Sequence, residues 1–582
     1  MNSTKAPTHS RRRGTRIRFS SPTAIVGVLI LVTAGIWTYA AAVGGPSHHS
    51  SSVRLNPVRT KQASDTPARK RSIPGKNAPI QPQTFLGSSG IESTAILKEN
   101  RFPGTTSWRI TDSGATGFIE GFADHVYASV GDQVGLFVST DAPRFQVTGY
   151  RMGWYQGSGA REMWQSPEVT GMVQPNCPND PTVNMVSCHN WTRSLTIAIS
   201  SSFVSGDYLF KLTGSGDQQS YVILTVIDPS STSTYVIVNR SLTEEAWNTY
   251  GGFDFYQGTG SCIVDRDTYP VCNRARVVSF DRPFASGNGS SDFLSNEFPL
   301  VQYAEKLGLD VTYQSDVTVD AVPGVLNNHK ALISLGHDEM WTNSERKSVL
   351  TAFARGMNVA FLGAAALVRH ARLQPSSFGP GREVVDYRNS AEDPLNGKGD
   401  PMEVTGNTWS TPPSSWSAGQ FVGEIYSGFL EPGTPAAAFV VQDASSWLYA
   451  GTGLQRGSTI PGIIESDIDH AAPMGAAPGN VEILGHSPVP LVDAYTNEGK
   501  WGQYTYSDLT YYTDPTAKAG VIDIGNNNWI NAMTPCSPSG PSCPAAVLDK
   551  ITGNIFRLFG LGPAGAIEPS SANGQAVVPL GS

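Results

Sequence analysis

At 582 residues the chain is too long for one hydrophobic core, and its 60 glycines and 40 prolines exclude a helical bundle. Basic residues are concentrated at the start: residues 1–82 carry 13 Lys or Arg against one acid, which leaves a body of net charge −20. A body with that charge repels polyphosphate, so the composition excludes nucleic acid as a partner.

A basic leader and an apolar segment open the chain. Five arginines within residues 1–23 precede residues 24–43, which carry no charge and reach the roughly 20 residues that a membrane-spanning helix needs. Because positive charge stays on the cytoplasmic side, we predict a single-pass anchor at the cell membrane, with the body extracytoplasmic. The alternative is a signal peptide cleaved after Ala42, in which case the protein is secreted.

The next segment and the cysteines agree with export. Residues 44–88 are rich in Ser, Pro, Lys, Arg and Gln, a composition that predicts a disordered stalk. The six cysteines form three close pairs, and short loops of this kind favour local disulfides in an oxidising compartment. The predicted pairs are Cys177 with Cys188, Cys262 with Cys272, and Cys536 with Cys543.

Short alternating runs between turn residues fill residues 91–229. This period of two predicts an antiparallel β-sandwich. The clearest runs are HVYASV, QVGLFVST, FQVTGYRMG, SLTIAIS, YLFKLTG and SYVILTVID. Aromatic residues in this part, such as Trp154, Tyr155 and Trp164, are candidates for a sugar-binding face, and the alternative is that they belong to the core.

The pattern changes in residues 230–561 to strands that alternate with helices. The runs TYVIVN, KALISLG and NVAFLGA are fully apolar, whereas NSERKSVLTAFARG has the period of an amphipathic helix. Strands buried on both faces and separated by helices predict an α/β domain with a mostly parallel sheet. The remaining residues, 562–582, are rich in Gly, Ala, Pro and Ser and predict a disordered tail.

One strand of this domain ends in an imidazole and two carboxylates, within HKALISLGHDEMW, residues 329–341. Ligands bind beyond the carboxyl ends of parallel strands, and Gly336 permits a sharp exit to that edge. His337 and Glu339 should point to the same side, where they can share a metal or act as base and orienting group. The alternative is that Asp338 and Glu339 only cap the next helix, whose other candidate caps are Thr342 and Asn343.

Common nucleophiles and cofactor motifs are not evident in this domain. No cysteine follows the strand in the manner of a glutaminase, and no GxSxG elbow occurs. No GxGxxG follows a strand, so a nucleotide cofactor has no support.

Seven blocks of the sequence resemble, in order, the large (beta) subunit family of N,N-dimethylformamidase. The blocks are YRMGWYQGSGAR, AWNTYGGFDFY, RVVSFDRPF, EFPLVQYAEKLGLDVTYQSDV, HKALISLGHDEMW, NVAFLGAAA and IPGIIESDID. The resemblance covers roughly residues 110–560. It implies a β-sandwich followed by an α/β domain like that of glutamine amidotransferases, with amide hydrolysis at a mononuclear iron held by two tyrosines and a glutamate.

The resemblance assigns six residues to the site. It implies metal ligation by Glu339, Tyr256 and Tyr250, and catalytic roles for His337, Glu465 and Arg388. Two positions depart from the family pattern. Phe284 stands where relatives have a tyrosine, and a phenyl ring cannot ligate a metal. Ala365 stands where the family has an asparagine that suits the substrate carbonyl.

The leading functional hypothesis is an exported hydrolase that acts on the C–N bond of a small amide. The first alternative is a non-catalytic cell-envelope protein whose sandwich binds a glycan or a partner and whose second domain is a degenerate hydrolase. A third is a glycosidase that uses two carboxylates among Asp338, Glu339 and Glu465. The sequence leaves open whether the chain forms a homo-oligomer and whether it has the small partner subunit of the family enzyme.

Overall fold

The computed structural model describes most of the chain beyond residue 82. The described ranges are 83–111, 115–259, 263–265, 268–271, 273–406, 408–430, 433–473, 475–490, 504–534 and 544–574. The leader, the apolar segment 24–43 and most of the predicted stalk lie outside them. So do Cys262, Cys272, Cys536 and Cys543. The described residues belong to one compact unit.

Two facing sheets occupy the first part of the described chain. Strands β11, β5 and β3 form one sheet, and β4, β13, β12, β6 and β7 form the other, with β8 paired to β6. A shared apolar cluster that includes Leu136, Val147 and Phe210 joins the two sheets. The elements are β1 (Thr84–Leu86), β2 (Ile91–Ser93), α1 (Thr94–Glu99), β3 (Ile119–Ala123), β4 (Tyr127–Ala128), β5 (Gln133–Thr140), β6 (Arg144–Met152), β7 (Ala160–Gln165), β8 (Val169–Thr170), β9 (Asn179–Asp180), β10 (Met185–Val186), β11 (Leu195–Ala198), β12 (Gly206–Gly214) and β13 (Gln219–Val226).

A seven-stranded sheet lies at the centre of the second part, in the order β18-β14-β19-β21-β30-β29-β28. The first five strands run parallel, and the last two pair antiparallel. The elements are β14 (Tyr235–Asn239), α2 (Ser241–Ala246), β15 (Ile263–Asp265), β16 (Thr268–Val271), β17 (Val277–Ser279), α3 (Phe298–Lys306), β18 (Val311–Ser315), α4 (Asp316–Ala321), β19 (Ala331–Leu335), β20 (Met340–Thr342), α5 (Asn343–Phe353), β21 (Asn358–Leu362), β22 (Arg369–Ser376), β23 (Gly379–Val385), α6 (Gly419–Val422), β24 (Glu424–Phe429), β25 (Ala437–Val440), β26 (Thr459–Ile464), β27 (Asp467–Ala471), β28 (Glu482–Pro490), β29 (Tyr504–Thr513), β30 (Gly520–Asp523), α7 (Trp529–Ala532) and α8 (Ala545–Gly560).

Both faces of the central strands are covered, because successive side chains of a strand point to opposite faces. In β14, Ile237 packs in a cluster with residues of α3 and α8, such as Leu300 and Phe556. Val238, the next residue of the strand, belongs to a second cluster with Val349 of α5. This double burial accounts for the continuous apolar runs seen in the sequence.

The fold class predicted from the sequence needs correction. We expected a sandwich followed by an α/β domain, but the protein is mixed and β-rich, with 19% helix. Its described strands form nine sheets of two to seven strands, and most of these are small sheets built from long connections. None of the helices in the described ranges is long and apolar enough to cross a membrane. Long connections that pair with one another carry little periodicity, so the sequence pattern did not reveal these small sheets.

Three local features bear on the sequence predictions. Cys177 and Cys188 form the predicted disulfide. Strand β1 lies inside the predicted stalk and pairs antiparallel with β2. The start of the predicted tail is also ordered: the Ser570 backbone N–H donates to the hydroxyl of Thr513 at 3.1 Å, which fixes this segment against β29.

Candidate active site

His337, Asp338 and Glu339 follow the carboxyl end of β19, directly after Gly336. Gly336 has φ of +50°, and a Cβ at this position would lie 2.9 Å from the backbone oxygen of Asn296. Glycine therefore allows both the turn and the close contact. After β20, Thr342 caps α5 by accepting a hydrogen bond from the Glu345 N–H at 3.0 Å. One of the two caps considered from the sequence is thereby confirmed.

Asp338 points into the protein rather than toward the carboxyl edge of the sheet. Its carboxylate accepts hydrogen bonds from Arg240 Nη1 at 2.7 Å and from Trp341 Nε1 at 2.6 Å. The Ser334 hydroxyl donates a third at 2.5 Å. Asp338 therefore stabilises the exit of β19, and it does not cap α5.

Glu339 is 7% exposed and held by two aromatic donors. The Tyr256 hydroxyl donates to Glu339 Oε1 at 2.5 Å, and Trp247 Nε1 donates to Oε2 at 3.1 Å. The Trp247 and Tyr256 rings stack with centroids 3.6 Å apart. Arg369 Nε lies 3.9 Å from Oε1. The carboxylate is therefore fixed in orientation beside a guanidinium group.

His337 lies between two carboxylates. Its Nε2 is 3.6 Å from Glu339 Oε2 and 3.9 Å from Asp467 Oδ2. Nε2 has no hydrogen-bond partner among the described residues, although the side chain is only 16% exposed. Asp467 is held in turn by Asn527 Nδ2 at 3.0 Å and by the Tyr426 hydroxyl at 3.0 Å. This nitrogen can therefore accept a proton or a metal ion from inside the site.

Arginine side chains add positive charge on the far side of Tyr256. The Arg388 guanidinium lies 4.7 Å from the centre of the Tyr256 ring. Arg369 Nε lies 3.5 Å from Asp386 Oδ2. Burial raises the pKa of Asp386 to about 6, although Arg369 opposes the shift. Burial, followed by the Glu339 carboxylate, raises the pKa of Tyr256 well above its ordinary value.

The structure brings together four of the six residues assigned from the sequence. His337, Glu339, Tyr256 and Arg388 form one group. Tyr250 is directed elsewhere, because its hydroxyl donates to Glu120 Oε1 of the sandwich at 2.8 Å. Glu465 is exposed just beyond the end of β26. The functional roles of all six residues stay predictions.

The two departures from the family pattern lie in different places. Ala365 has φ of +58°, and its neighbour Ala364 donates its N–H to Asn527 Oδ1 at 2.7 Å. The amide of Asn527 thus lies beside the segment where the family pattern has an asparagine. Phe284 lines a cleft with an empty volume of about 540 Å³, together with Arg282 and Glu244.

Four further site residues were missed by sequence reasoning. Trp247 and Asp467 stand inside two of the quoted blocks, so the blocks themselves were the signal. Asn527 stands in GNNNWINAM, which follows the last parallel strand. Arg369 has no local signal, because only the three-dimensional pairing of β22 with β20 brings it to Glu339.

The aromatic residues of the sandwich do not form a common exposed face. Tyr155 is fully buried, and its hydroxyl donates to Glu99 Oε1 at 2.8 Å. Trp164 packs edge-to-face on Phe210 at 6.3 Å. These contacts agree with the core alternative for Tyr155.

The described residues offer three donors for a metal at the Glu339 site. They are the Glu339 carboxylate, the Tyr256 phenol and His337 Nε2. A carboxylate, a phenol and an imidazole suit a mid-row or ferric ion better than a soft one. The Glu339 carboxylate and the Tyr256 phenol fit two of the three iron ligands that the family pattern implies, and the imidazole lies beside them.

The sequence profile of the family described as N,N-dimethylformamidase beta subunit-like, C-terminal, matches residues 146–543. This range is more than half of the chain. The chain belongs to this family. The profile spans every assigned residue of this N,N-dimethylformamidase beta subunit-like protein, and it confirms the resemblance noted in the sequence.

The other comparisons add little to the family assignment. No curated protein matches the chain. A solved structure of a Paenibacillus sp. cycloisomaltooligosaccharide glucanotransferase, complexed with cycloisomaltoheptaose, is similar over 48% of this chain and 35% of that chain. The identity is 11% and the TM-score is 0.14. At that score the likeness carries no argument about fold or function.

Proposed function

We propose that the protein is an amidohydrolase that cleaves the C–N bond of a small amide at the Glu339 site. The main support is the hydrogen bond of 2.5 Å from the Tyr256 hydroxyl to Glu339, together with His337 Nε2, which lies 3.6 Å from the same carboxylate. The group lies at the carboxyl edge of parallel strands, where ligands bind in such sheets. Family membership supports the reaction class.

In the proposed reaction His337 is the general base. Its Nε2 takes a proton from water while the oxygen attacks the amide carbon, and the negative charge moves to the carbonyl oxygen. When the tetrahedral intermediate collapses, the C–N bond breaks and the imidazolium returns the proton to the leaving nitrogen. The products are a carboxylic acid and an amine.

Neighbouring groups stabilise the two charges that develop. Asp467 at 3.9 Å and Glu339 at 3.6 Å place two carboxylates beside the positive charge that His337 gains during the reaction. Arg369 and Arg388 supply positive charge near Tyr256, which favours the oxyanion. We assign the assisting carboxylate to Asp467 because Glu465 is exposed.

We propose further that the site takes iron, held by Glu339 and Tyr256, which leaves His337 Nε2 free to take the proton from water. Bound iron would polarise the amide carbonyl and lower the pKa of water. Metal analysis of the purified chain tests this part, with the Glu339→Gln variant as the comparison. We expect iron in the wild type and its loss in the variant, and iron that is retained in the variant contradicts the assignment.

The location that we propose is extracytoplasmic. The disulfide between Cys177 and Cys188 supports it, because such bonds persist in oxidising compartments. Non-reducing mass spectrometry of the native protein tests the location. The peptides of this pair should be joined in protein from its own cells, and free thiols there contradict the proposal.

Release of amine from a panel of N-alkyl formamides and acetamides tests the activity. We expect turnover by the wild type and a loss of about 10²- to 10³-fold in Glu339→Gln, because the variant loses a negative charge that holds the reacting groups in place. Glu120→Gln is the matched control, because Glu120 also accepts a tyrosine hydroxyl, that of Tyr250. No turnover of any amide by the folded, iron-loaded wild type overturns the proposal.

A further inference from the structure

Three buried carboxylates outside the Glu339 group meet near the end of β30. One oxygen from each of Glu424, Asp469 and Asp523 lies within 4.8 Å of the other two. The side chains belong to residues that are 2%, 1% and 0% exposed, respectively. We call this group the carboxylate trio.

The fold brings the trio together from three separate strands. Asp523 is the last residue of β30 and lies at its carboxyl end. β27 passes beside the following turn, where the Asp469 N–H donates to the Gly525 carbonyl at 3.0 Å. Glu424 opens β24, which pairs antiparallel with β27. The cluster therefore follows from strand pairing and not from a mobile surface loop.

Few groups donate hydrogen bonds to the carboxylate oxygens of the trio. Asp523 Oδ1 accepts the Gly525 N–H at 3.1 Å, and Asp469 Oδ2 accepts the Ala366 N–H at 3.4 Å. The other four oxygens have no partner of good hydrogen-bond geometry in the described part of the chain: Glu424 Oε1, Glu424 Oε2, Asp469 Oδ1 and Asp523 Oδ2. The Thr510 side chain lies near enough to Glu424 to oppose the rise in the pKa of that acid.

Among the described residues, basic side chains do not form ion pairs with the trio, although the nearby His337 opposes the rise in the pKa of Asp469. Within the described ranges, no Lys, Arg or His forms an ion pair with any of its members. The adjacent Asp508 is itself acidic and is already paired with His486 at 2.6 Å. Burial, and then mutual repulsion, raises the pKa of Glu424 and Asp523. Burial raises that of Asp469 to about 7.

We propose that Glu424, Asp469 and Asp523 bind one hard divalent metal cation, as a second site separate from the Glu339 group. Buried anions without a partner are rare because their desolvation is expensive, and a cation supplies the missing charge. The oxygen-only donor set excludes thiolate and imidazole ligation and selects Ca²⁺, Mg²⁺ or Mn²⁺. Dry surroundings disfavour Mg²⁺, which keeps its water ligands.

The cation would stabilise the segments that lie beside the Glu339 group. Asp469 is two residues beyond Asp467, and Asp467 lies 3.9 Å from His337. Asp469 also accepts a hydrogen bond from the Ala366 N–H. A metal ion between β27 and β30 would fix both segments. The role is structural, and the inference goes beyond the proposed hydrolysis and does not depend on it.

The test is cation retention by the purified full chain. The protein is stripped with a chelator, loaded with Ca²⁺ or Mn²⁺, desalted and analysed for metal. We expect one more retained equivalent in the wild type than in the Glu424→Gln/Asp523→Asn double variant, with affinity at least about tenfold weaker in the variant. The melting temperature should rise with the cation in the wild type only.

Two controls separate the trio from other acids. Asp207→Asn removes a buried acid of the sandwich that also has an oxygen without a partner, and it should retain the cation as the wild type does. Glu339→Gln should also retain it, which separates this inference from the proposed iron site. Equal retention by the wild type and the double variant overturns the proposal.

A second measurement needs no variant. Tb³⁺ bound at the trio should show sensitised emission, because Tyr512 lies beside Gly423, the residue before Glu424. Ca²⁺ should displace that emission in step with the rise in melting temperature. A wild type that retains no Ca²⁺ or Mn²⁺ and gives no displaceable emission contradicts the site, and the trio then shares protons instead.

Discussion

The Glu339 group and the carboxylate trio lie at the carboxyl edge of the same sheet, but they differ in the number of hydrogen-bond donors and positive charges around their carboxylates. Glu339 accepts hydrogen bonds from a phenol and an indole and lies 3.9 Å from Arg369. The trio has two backbone donors for six oxygens. The chain thus supplies its own partners for one group and leaves the other to be neutralised from solution.

Glu305, another buried acid, shows which partners the fold can supply to a buried carboxylate. Glu305 and Arg151 are both 0% exposed and form an ion pair at 2.6 Å between α3 and β6. The Tyr313 hydroxyl also donates to Glu305 at 2.9 Å. Since the fold can build such a pair, the uncompensated trio is best explained by a ligand and not by poor packing.

The largest stability effect should come from breaking that pair. Arg151→Met leaves Glu305 buried with an uncompensated charge, and the expected loss is about 3–5 kcal/mol. The midpoint of urea unfolding measures it. Arg144→Met is the control, because it removes an ion pair with Glu168 whose side chains are 65% and 59% exposed. That pair should contribute less than about 1 kcal/mol. Equal losses in both variants refute the contrast.

Removing a charge from the trio should raise the unfolding free energy, whereas breaking the pair of Arg151 and Glu305 should lower it. In chelator at pH 8, Asp523→Asn removes a buried acid whose raised pKa destabilises the folded state, and we expect a gain on the order of 1–3 kcal/mol in unfolding free energy. The control is Asp338→Asn, which removes the negative charge that pairs with the buried Arg240 and should destabilise the protein. If Asp523→Asn also destabilises in chelator, the two groups do not differ as described.

A single uncompensated acid should appear in the pH dependence of stability. Burial raises the pKa of Asp207 to about 7, although Thr225 and Arg151 oppose the shift. The folded state then binds the proton more tightly than the unfolded chain, whose value is near 3.8. The contribution is therefore full below about pH 4 and lost as the pH rises to about 7.

The Asp207→Asn variant should flatten this part of the curve of unfolding free energy against pH. Glu168→Gln, on an exposed side chain, should leave the curve unchanged. If Asp207→Asn and the wild type have the same slope between pH 4 and pH 7, the assignment to Asp207 is wrong.

Local signals in the sequence predicted the parts of the site that local structure determines. The apolar run of β19, the glycine after it and the cap at Thr342 all depend on neighbouring residues, and they place His337 and Glu339 at the sheet edge. Local signals could not predict contacts between residues that are far apart in the sequence. Asp467 lies beside His337 because β27 runs along the segment after β30, where Ile468 pairs with Asn526, and the spacing of ESDID does not encode that pairing.

The choice between two tyrosines shows the same limit. Tyr250 and Tyr256 are six residues apart, and Gly251 and Gly252, with φ of 78° and 88°, turn the chain between them. The turn sends one hydroxyl to Glu120 and the other to Glu339. Only Asp469 of the trio stands in a quoted block, and no sequence motif connects it with Glu424 and Asp523, which come from two other strands.

The central claim is that Tyr256, and not Tyr250, completes the reaction centre with Glu339. The most direct measurement is the rate of amine release by Tyr256→Phe and Tyr250→Phe, each compared with the wild type at equal iron loading. We expect a loss of about 10²-fold or more in Tyr256→Phe and a rate within about twofold of the wild type in Tyr250→Phe. Equal losses in both variants, or a larger loss in Tyr250→Phe, contradict the account.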